Sequence, residues 1–190
     1  MSINHAVLGL LSIKPFSGYD LKKLIQDSFF MPWSGNNNQI YKALVELHDE
    51  GLVSKTVQHQ ESSPSKKIYA ITAKGSAELK KWMLAVPDAP EFKKIFLIQL
   101  AWADQLDQEE IETMLSQYEK EIKIQILIRQ EKKVRGSFSP DRTERETYLW
   151  DMIHDNLVSS LNYELYWIKK LRQGLRRFDK EDNNHELSSS

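Results

Sequence analysis

The 190-residue chain has no cysteine. That excludes a disulfide framework, a thiolate metal site and a cysteine nucleophile, and it fits a reducing compartment. The chain also lacks any apolar run near the roughly 18 residues that a membrane-spanning helix requires, and any basic, apolar, small-residue leader. A cytoplasmic protein with no membrane partner is expected. Catalytic signatures are missing as well: there is no phosphate-cradling glycine motif, no G-x-S-x-G elbow and no H-E-x-x-H. His5, His48, His59, His154 and His185 are scattered. Asp151, His154 and Asp155 share one helical side, but without further ligands they read as a surface or interface cluster, and no metal site is assigned. Glu109 and Glu110 fall in the first turn of a helix, where the helix dipole accounts for them. Neither an enzyme nor a cofactor is expected. What the chain does have is 41% hydrophobic residues, enough for one ordinary core or two small ones.

The formal net charge is only -1, but its distribution is uneven. Residues 1–85 hold ten lysines, no arginine and seven acids, a balance of +3; residues 86–190 hold 16 basic and 20 acidic residues, a balance of -4. A mildly basic first part joined to an acidic second part suits a DNA-reading module with a separate assembly domain.

The stretch from Trp33 to Val53, WSGNNNQIYKALVELHDEGLV, organises the first part. Asn36 is placed to cap a helix with Gln39 reaching back, and Gly51 supplies the left-handed residue that ends it. At about 100° per residue, Ile40, Ala43, Leu44 and Leu47 share the buried side, while Asn38, Lys42, Val45 and Asp49 point away. The outer face opens with Asn37, Asn38, Gln39, Tyr41 and Lys42. Asn and Gln bond adenine bidentately and Lys reaches guanine or phosphate, so this leading turn suits insertion into a major groove. The alternative is a solvated amphipathic helix.

Before it, INHAVLGLLS at residues 3–12 forms a short helix with Val7, Leu8, Leu10 and Leu11 available for burial, closed by Pro15. Ser17 caps a second helix, SGYDLKKLIQDSFF, with Asp20 at its positive end; Leu21, Leu24 and Ile25 give its core side, and Lys22 and Lys23 lie off it. Three short helices in this order describe a helix-turn-helix. After Gly51, LVSKTVQHQ and KKIYAIT are rich in β-branched and aromatic residues, and ESSPSK between them reads as a hairpin loop. The result is a two-stranded wing whose tip carries Ser65, Lys66 and Lys67, suited to phosphates or else a solubility device. Thr72 caps a fourth helix, AKGSAELKKWMLAV, with Leu79, Trp82 and Met83 as its apolar stripe.

LGLLS at 8–12, SGYDLKK at 17–23, NQIYKALVELHDEGLV at 38–53 and KIYAITAKGSAELKKWM at 67–83, in this order, resemble the PadR family of bacterial transcriptional regulators. The resemblance covers residues 1–85 and implies a winged helix-turn-helix domain that binds double-stranded DNA. Position 38 is Asn where a small hydroxylated residue is common in the family. The long helical second half resembles the larger, second PadR subfamily, which implies a dimerising second domain and a repressor.

VPDAPE at residues 86–91 reads as a linker. FKKIFLIQLAWADQ is apolar on most sides, at Ile95, Phe96, Ile98, Leu100, Ala101 and Trp102, and is expected to be buried. Asp107 with Glu110 forms a capping pair for a helix running to about Arg135, with Leu106 and Ile111 able to staple it; after GSFSPDR, Thr143 with Glu146 repeats the pattern for a last helix from about Glu144 to Phe178. Leu149, Ile153, Leu157, Leu161, Leu165 and Ile168 lie along one face of it. Two helices of roughly 30 residues span about 45 Å each. Neither can bury its stripe on one small domain, so an antiparallel pair joined to its counterpart in a homodimer is expected, a monomeric hairpin being the alternative. From Asp179 the chain is polar and acidic and reads as a disordered tail, residues 179–190.

The aromatics Trp33, Tyr148, Trp150, Tyr163, Tyr166 and Trp167 read as packing or, in part, as a pocket between the halves. The family resemblance implies a small aromatic effector, a phenolic acid or a planar drug-like compound. Trp33, Trp150 and His154 are the contacts expected for such a pocket. The expected fold is thus mainly α with a small β-hairpin: a winged helix-turn-helix domain (1–85), a linker (86–91) and an all-helical dimerisation and effector domain (92–178). The other class of function open to this pattern is a winged-helix adaptor that binds protein instead of DNA.

Overall fold

The computed structural model describes residues 3–28, 30–31, 37–60, 63–89, 94–134, 140 and 142–178. They fall into two compact units, Met1–Ala89 with Gly136–Thr147, and Pro90–Arg135 with Tyr148–Ser190.

The first unit runs α1 (Ile3–Leu11), β1 (Phe16–Ser17), α2 (Gly18–Asp27), α3 (Asn37–Asp49), β2 (Val53–Gln60), β3 (Ser63–Ile71) and α4 (Ala73–Met83). α1 buries Val7, Leu8, Leu10 and Leu11. α2 starts on Ser17, whose hydroxyl oxygen accepts from the Asp20 amide at 3.1 Å. It ends at Asp27 because Ser28 turns to an extended conformation, so Phe30 of the expected segment is not in the helix. α3 buries Ile40, Ala43, Leu44 and Leu47. Gly51, at φ 70°, ends the turn after it. The Leu52 amide donates to the Leu47 carbonyl at 2.8 Å and the Gly51 amide to the His48 carbonyl at 2.9 Å, the paired bonds of a glycine-terminated helix. The expected cap Asn36 lies outside the described residues.

The sheet corrects the expected wing in two ways. It has three strands in the order β1-β3-β2, all antiparallel, with Phe16 opposite Tyr69 and Ser17 opposite Ile68. The hairpin is also longer: β2 pairs β3 from Val53 with Ile71 through Gln58 with Lys66 to Gln60 with Ser63, with an irregularity between Gln58 and Gln60. Ser65, Lys66 and Lys67 therefore lie within β3 and not at a tip. Pro64 falls beyond the residues of β3 that pair with β1.

One cluster joins these elements, with Leu8, Leu21, Ile25, Ile40, Leu44 and Leu47 at its centre and Phe16, Leu52, Val53, Tyr69 and Leu79 at its edge. Each fully buried aliphatic side chain is worth about 1.5–3 kcal/mol relative to exposure. Of the stripe expected on α4 only Leu79 is buried; Trp82 and Met83 are exposed because the last turn runs past the core, and Trp82 stacks on His5 at 4.6 Å. Burial holds the His5 imidazole below its ordinary pKa. The segment 136–147 belongs to this unit: the Arg142 guanidinium donates to the Ser12 carbonyl at 3.0 Å, and its hydrogen bonds to Glu146 hold that carboxyl below the usual range.

The second unit contains α5 (Ile95–Ala101), a short 3-10 turn (Ala103–Gln105), α6 (Gln108–Val134) and most of α7 (Glu144–Leu175). α6 starts on the expected reciprocal pair, the Asp107 amide donating to Glu110 at 3.0 Å and the Glu110 amide to Asp107 at 2.9 Å. α7 starts on Thr143, which accepts from the Glu146 amide at 3.1 Å. The two long helices run antiparallel, since Arg172 meets Glu112, Ser116 and Glu119, the Tyr118 hydroxyl donates to Glu164 at 3.2 Å, and Lys133 pairs with Asp151 at 3.1 Å. Ile122, Ile126 and Ile168 form the seam, with Tyr118, Leu161, Leu165 and Trp167 against it. Glu164, buried in this seam, also receives the Lys94 ammonium. Burial and the neighbouring carboxylate push Tyr118 up to about 12. The expected burial of α5 fails: Phe96 is buried against Tyr118 and Trp167, but Ile95, Ile98 and Trp102 are exposed. Within one described chain, α5 packs one side only. Among the described residues no helix is long and apolar enough to cross a membrane.

Candidate nucleic-acid interface

The buried side of α3 fixes what its other side presents. With Ile40, Ala43, Leu44 and Leu47 in the core, Asn38, Gln39, Tyr41 and Lys42 are exposed on the leading turns. Asn37 opens the helix. Lys42 is nearly free in solvent, with Glu46 one turn on at 3.8 Å, a distance and exposure at which such a pair contributes little. Tyr41 is tied more closely to the fold. A Cβ added at Gly18 would come within 2.7 Å of the Tyr41 ring and 3.3 Å of Leu44, so Gly18 is what lets α3 approach the start of α2. Tyr69 of β3 is held above its ordinary pKa by burial and then by Tyr41.

The expected lysines lie on α2 and β3 of the same unit. Lys23 of α2 and Lys67 of β3 are exposed, and among the described residues neither meets an acid. Lys22 is half-buried and Ser65 is exposed. Lys66 differs: its ammonium lies 3.0 Å from the Asp20 carboxylate. The Ser17 hydroxyl donates to the same Asp20 oxygen at 2.6 Å, and these contacts, Ser17 first, hold Asp20 below the usual carboxylate range. Tyr19, 65% exposed beside that cap, was not singled out in the sequence. Its signal is an aromatic in the first turn of α2, off the Leu21 and Ile25 core side.

The other expected sites are more scattered. Trp33 lies outside the described residues, and the half-buried Trp150 and His154 are on α7. Of the stripe on α7, Ile168 is buried and Leu161 and Leu165 pack against α6 of the same chain, whereas Leu149 is 50% exposed.

The order of three helices, a strand pair and a capped fourth helix, with a polar leading turn on the third, finds its counterpart in known proteins. Residues 7–81 match the model of the transcriptional regulator PadR-like family. They are a PadR-like domain. The chain is similar to the negative transcriptional regulator PadR of Bacillus subtilis, 34% identical over 92 residues, which are 48% of this chain and 50% of that protein. It spans about half the length of the curated relatives it matches. Its fold is similar to that of Bacillus subtilis PadR in complex with operator DNA, with a TM-score of 0.76 at 23% identity over 89% of this chain and 96% of that one. It is also similar to the same protein in complex with p-coumaric acid, with a TM-score of 0.72 at 22% identity over 89% and 92% of the two chains. The fold is therefore the mainly helical one with a small antiparallel sheet that PadR-like proteins share. The curated relative is named a negative transcriptional regulator.

Proposed function

We propose that the chain is a PadR-like transcriptional regulator that binds duplex DNA through its PadR-like domain, as a homodimer, and acts as a repressor. The observation that carries this reading is the exposed leading turn of α3, Asn38, Gln39, Tyr41 and Lys42, on a helix whose other side closes the core, with Lys23 exposed on α2 and Lys67 exposed on β3 of the same unit. A helix with bidentate-capable amides at its start and cations beside it suits a major groove and the phosphates that border it. The likeness to PadR bound to operator DNA supports it, and the name negative transcriptional regulator supports repression.

Two reading helices in a symmetric dimer require an inverted-repeat operator with half-sites about 34 Å apart, one turn of DNA. Asn38→Ala or Gln39→Ala should cost roughly 1–3 kcal/mol on that operator and relax its base preference, whereas Lys67→Ala should weaken all DNA alike and lower the salt slope by about one. Gel-shift titration of both amide variants at unchanged operator affinity would remove α3 from the role of reading helix. The likeness to PadR bound to p-coumaric acid supports a small aromatic effector as well. Isothermal titration with a phenolic-acid panel, alongside release of the operator, tests it; Trp150 and His154 are the contacts proposed on α7.

A further inference from the structure

The two lysines of β3, Lys66 and Lys67, are not equivalent. Lys66 and Lys67 are neighbours in β3, and successive side chains of a strand point to opposite faces. Among the described residues Lys67 meets no acid, yet Lys66 is held 3.0 Å from Asp20. The geometry points to Asp20 as a positioning residue that keeps the Lys66 ammonium off the DNA backbone and so lowers affinity for DNA of arbitrary sequence. This rests on the DNA-binding reading above.

Capping of α2 does not require the pair. The Ser17 oxygen already accepts from the Asp20 amide and the Ser17 hydroxyl donates to its carboxylate. Nor does the sheet require it, since Ser17 is fixed by its pairing opposite Ile68 and Lys66 by its pairing opposite Gln58. What the pair does change is the charge offered to a polyanion: a lysine beside its own carboxylate neutralises no phosphate and releases no counterion. The lowered pKa of Asp20 keeps that carboxylate charged at any pH at which DNA binding is measured.

The test is a double-mutant cycle on the full chain, with Asp20→Asn, Lys66→Gln and the double variant. Fluorescence anisotropy of a labelled duplex of arbitrary sequence is read from low to moderate salt. Asn at position 20 can still accept from Ser17; if it unfolds the protein in a melting check, Asp20→Ser replaces it. The expected result is that Asp20→Asn binds up to about eightfold more tightly at 0.1 M salt, with the slope of log K on log salt steeper by about 0.9, one additional counterion released. Lys66→Gln should match the wild-type slope, and the double variant should match Lys66→Gln. Equal gains from Asp20→Asn with and without Lys66 would show a mere loss of repelling charge and overturn the proposal. So would a shallower slope in Lys66→Gln, which would mean that Lys66 already sits on phosphate. A wild-type chain that binds no duplex even at low salt would remove the DNA-binding function itself, and this inference with it.

Discussion

Replacing Gly75 by Ala should destabilise the first unit although Gly75 lies inside a helix, where Ala is ordinarily the better residue. Helix propensity alone favours Ala over Gly by about 1 kcal/mol. Against it, a Cβ built at Gly75 runs into the backbone carbonyl oxygen of Leu52 and lies 2.9 Å from the Ile71 side chain. That carbonyl cannot step aside. It accepts from the Thr72 amide at 3.0 Å and from the Thr72 hydroxyl at 3.1 Å, and the Thr72 hydroxyl also lies 2.8 Å from the Gly51 carbonyl. Overpacking against a rigid neighbour costs about 1–3 kcal/mol or more, and shifting α4 to relieve it would weaken the Thr72 bonds. The net expectation is a loss of about 2 kcal/mol, a fall of roughly thirtyfold in the folded-to-unfolded ratio. Gly9→Ala is the internal control. It is also helical and in the same unit, but its added Cβ meets nothing within 4 Å, so it should gain about 0.5–1 kcal/mol. Urea denaturation followed by circular dichroism measures both. If Gly75→Ala is as stable as Gly9→Ala, the close approach of α4 to the turn after α3 is not what the geometry implies.

Thr72→Ala removes the cap of α4, which accepts from the Gly75 amide at 3.1 Å, and should cost about 1 kcal/mol in the same denaturation experiment. The Asp20 carboxyl titrates lower in the folded state, so its stabilisation is present above the unfolded value of about 3.9 and is lost as pH falls through the lowered folded value. The stability difference between wild type and Asp20→Asn should accordingly be flat from neutral to mildly acid pH and close only in strong acid. Arg172→Ala should cost roughly 1.5–3 kcal/mol in the second unit by leaving Glu119 and Glu112 without their α7 partner; hydrogen exchange localised to α6 and α7 reads it.

Features of the chain that depend on neighbours in sequence were legible in advance. Ser17, Thr72, the Asp107 and Glu110 pair, Thr143 and Gly51 all act within five residues, so spacing alone reveals them. The pattern of α3 was legible because the 3.6-residue period places Ile40, Ala43, Leu44 and Leu47 together. β1 was not, because two residues carry no periodicity and its partners Ile68 and Tyr69 are some fifty positions away. The hairpin is longer than its composition suggests, because Ser and Pro at 62–65 have loop composition while the β2 ladder extends to Ser63 regardless. The charge of Lys66 could be read, but its partner on α2 could not, since that contact follows from the same unseen strand. Trp82 and Met83 fit the helical stripe of α4; only the edge of the core decides that they fall beyond it.

α6 carries a less regular pattern than the helices of the first unit, and it gives the second unit its sharpest test. On a helix of 100° per residue, Leu115, Ile122 and Ile126 fall within about 40° of one another, and these are its buried residues. Ile124, Leu127 and Ile128 fall roughly opposite, and all three are exposed, Leu127 at 63%. The helix thus has two apolar stripes, one closed by α7 and one open, which blurs the amphipathic pattern. An open stripe on a helix is what a second copy of the chain would cover in the proposed homodimer. Ile122→Ala on the inner stripe should cost about 2–5 kcal/mol whatever the oligomeric state. Leu127→Ser on the outer stripe should cost under about 0.5 kcal/mol in a monomer, but in a dimer its stability should fall and become dependent on protein concentration. Sedimentation velocity over a hundredfold range of concentration separates the two. A wild-type chain that sediments as a monomer throughout, with Leu127→Ser indistinguishable from it, would leave the outer stripe without a partner and refute the dimer.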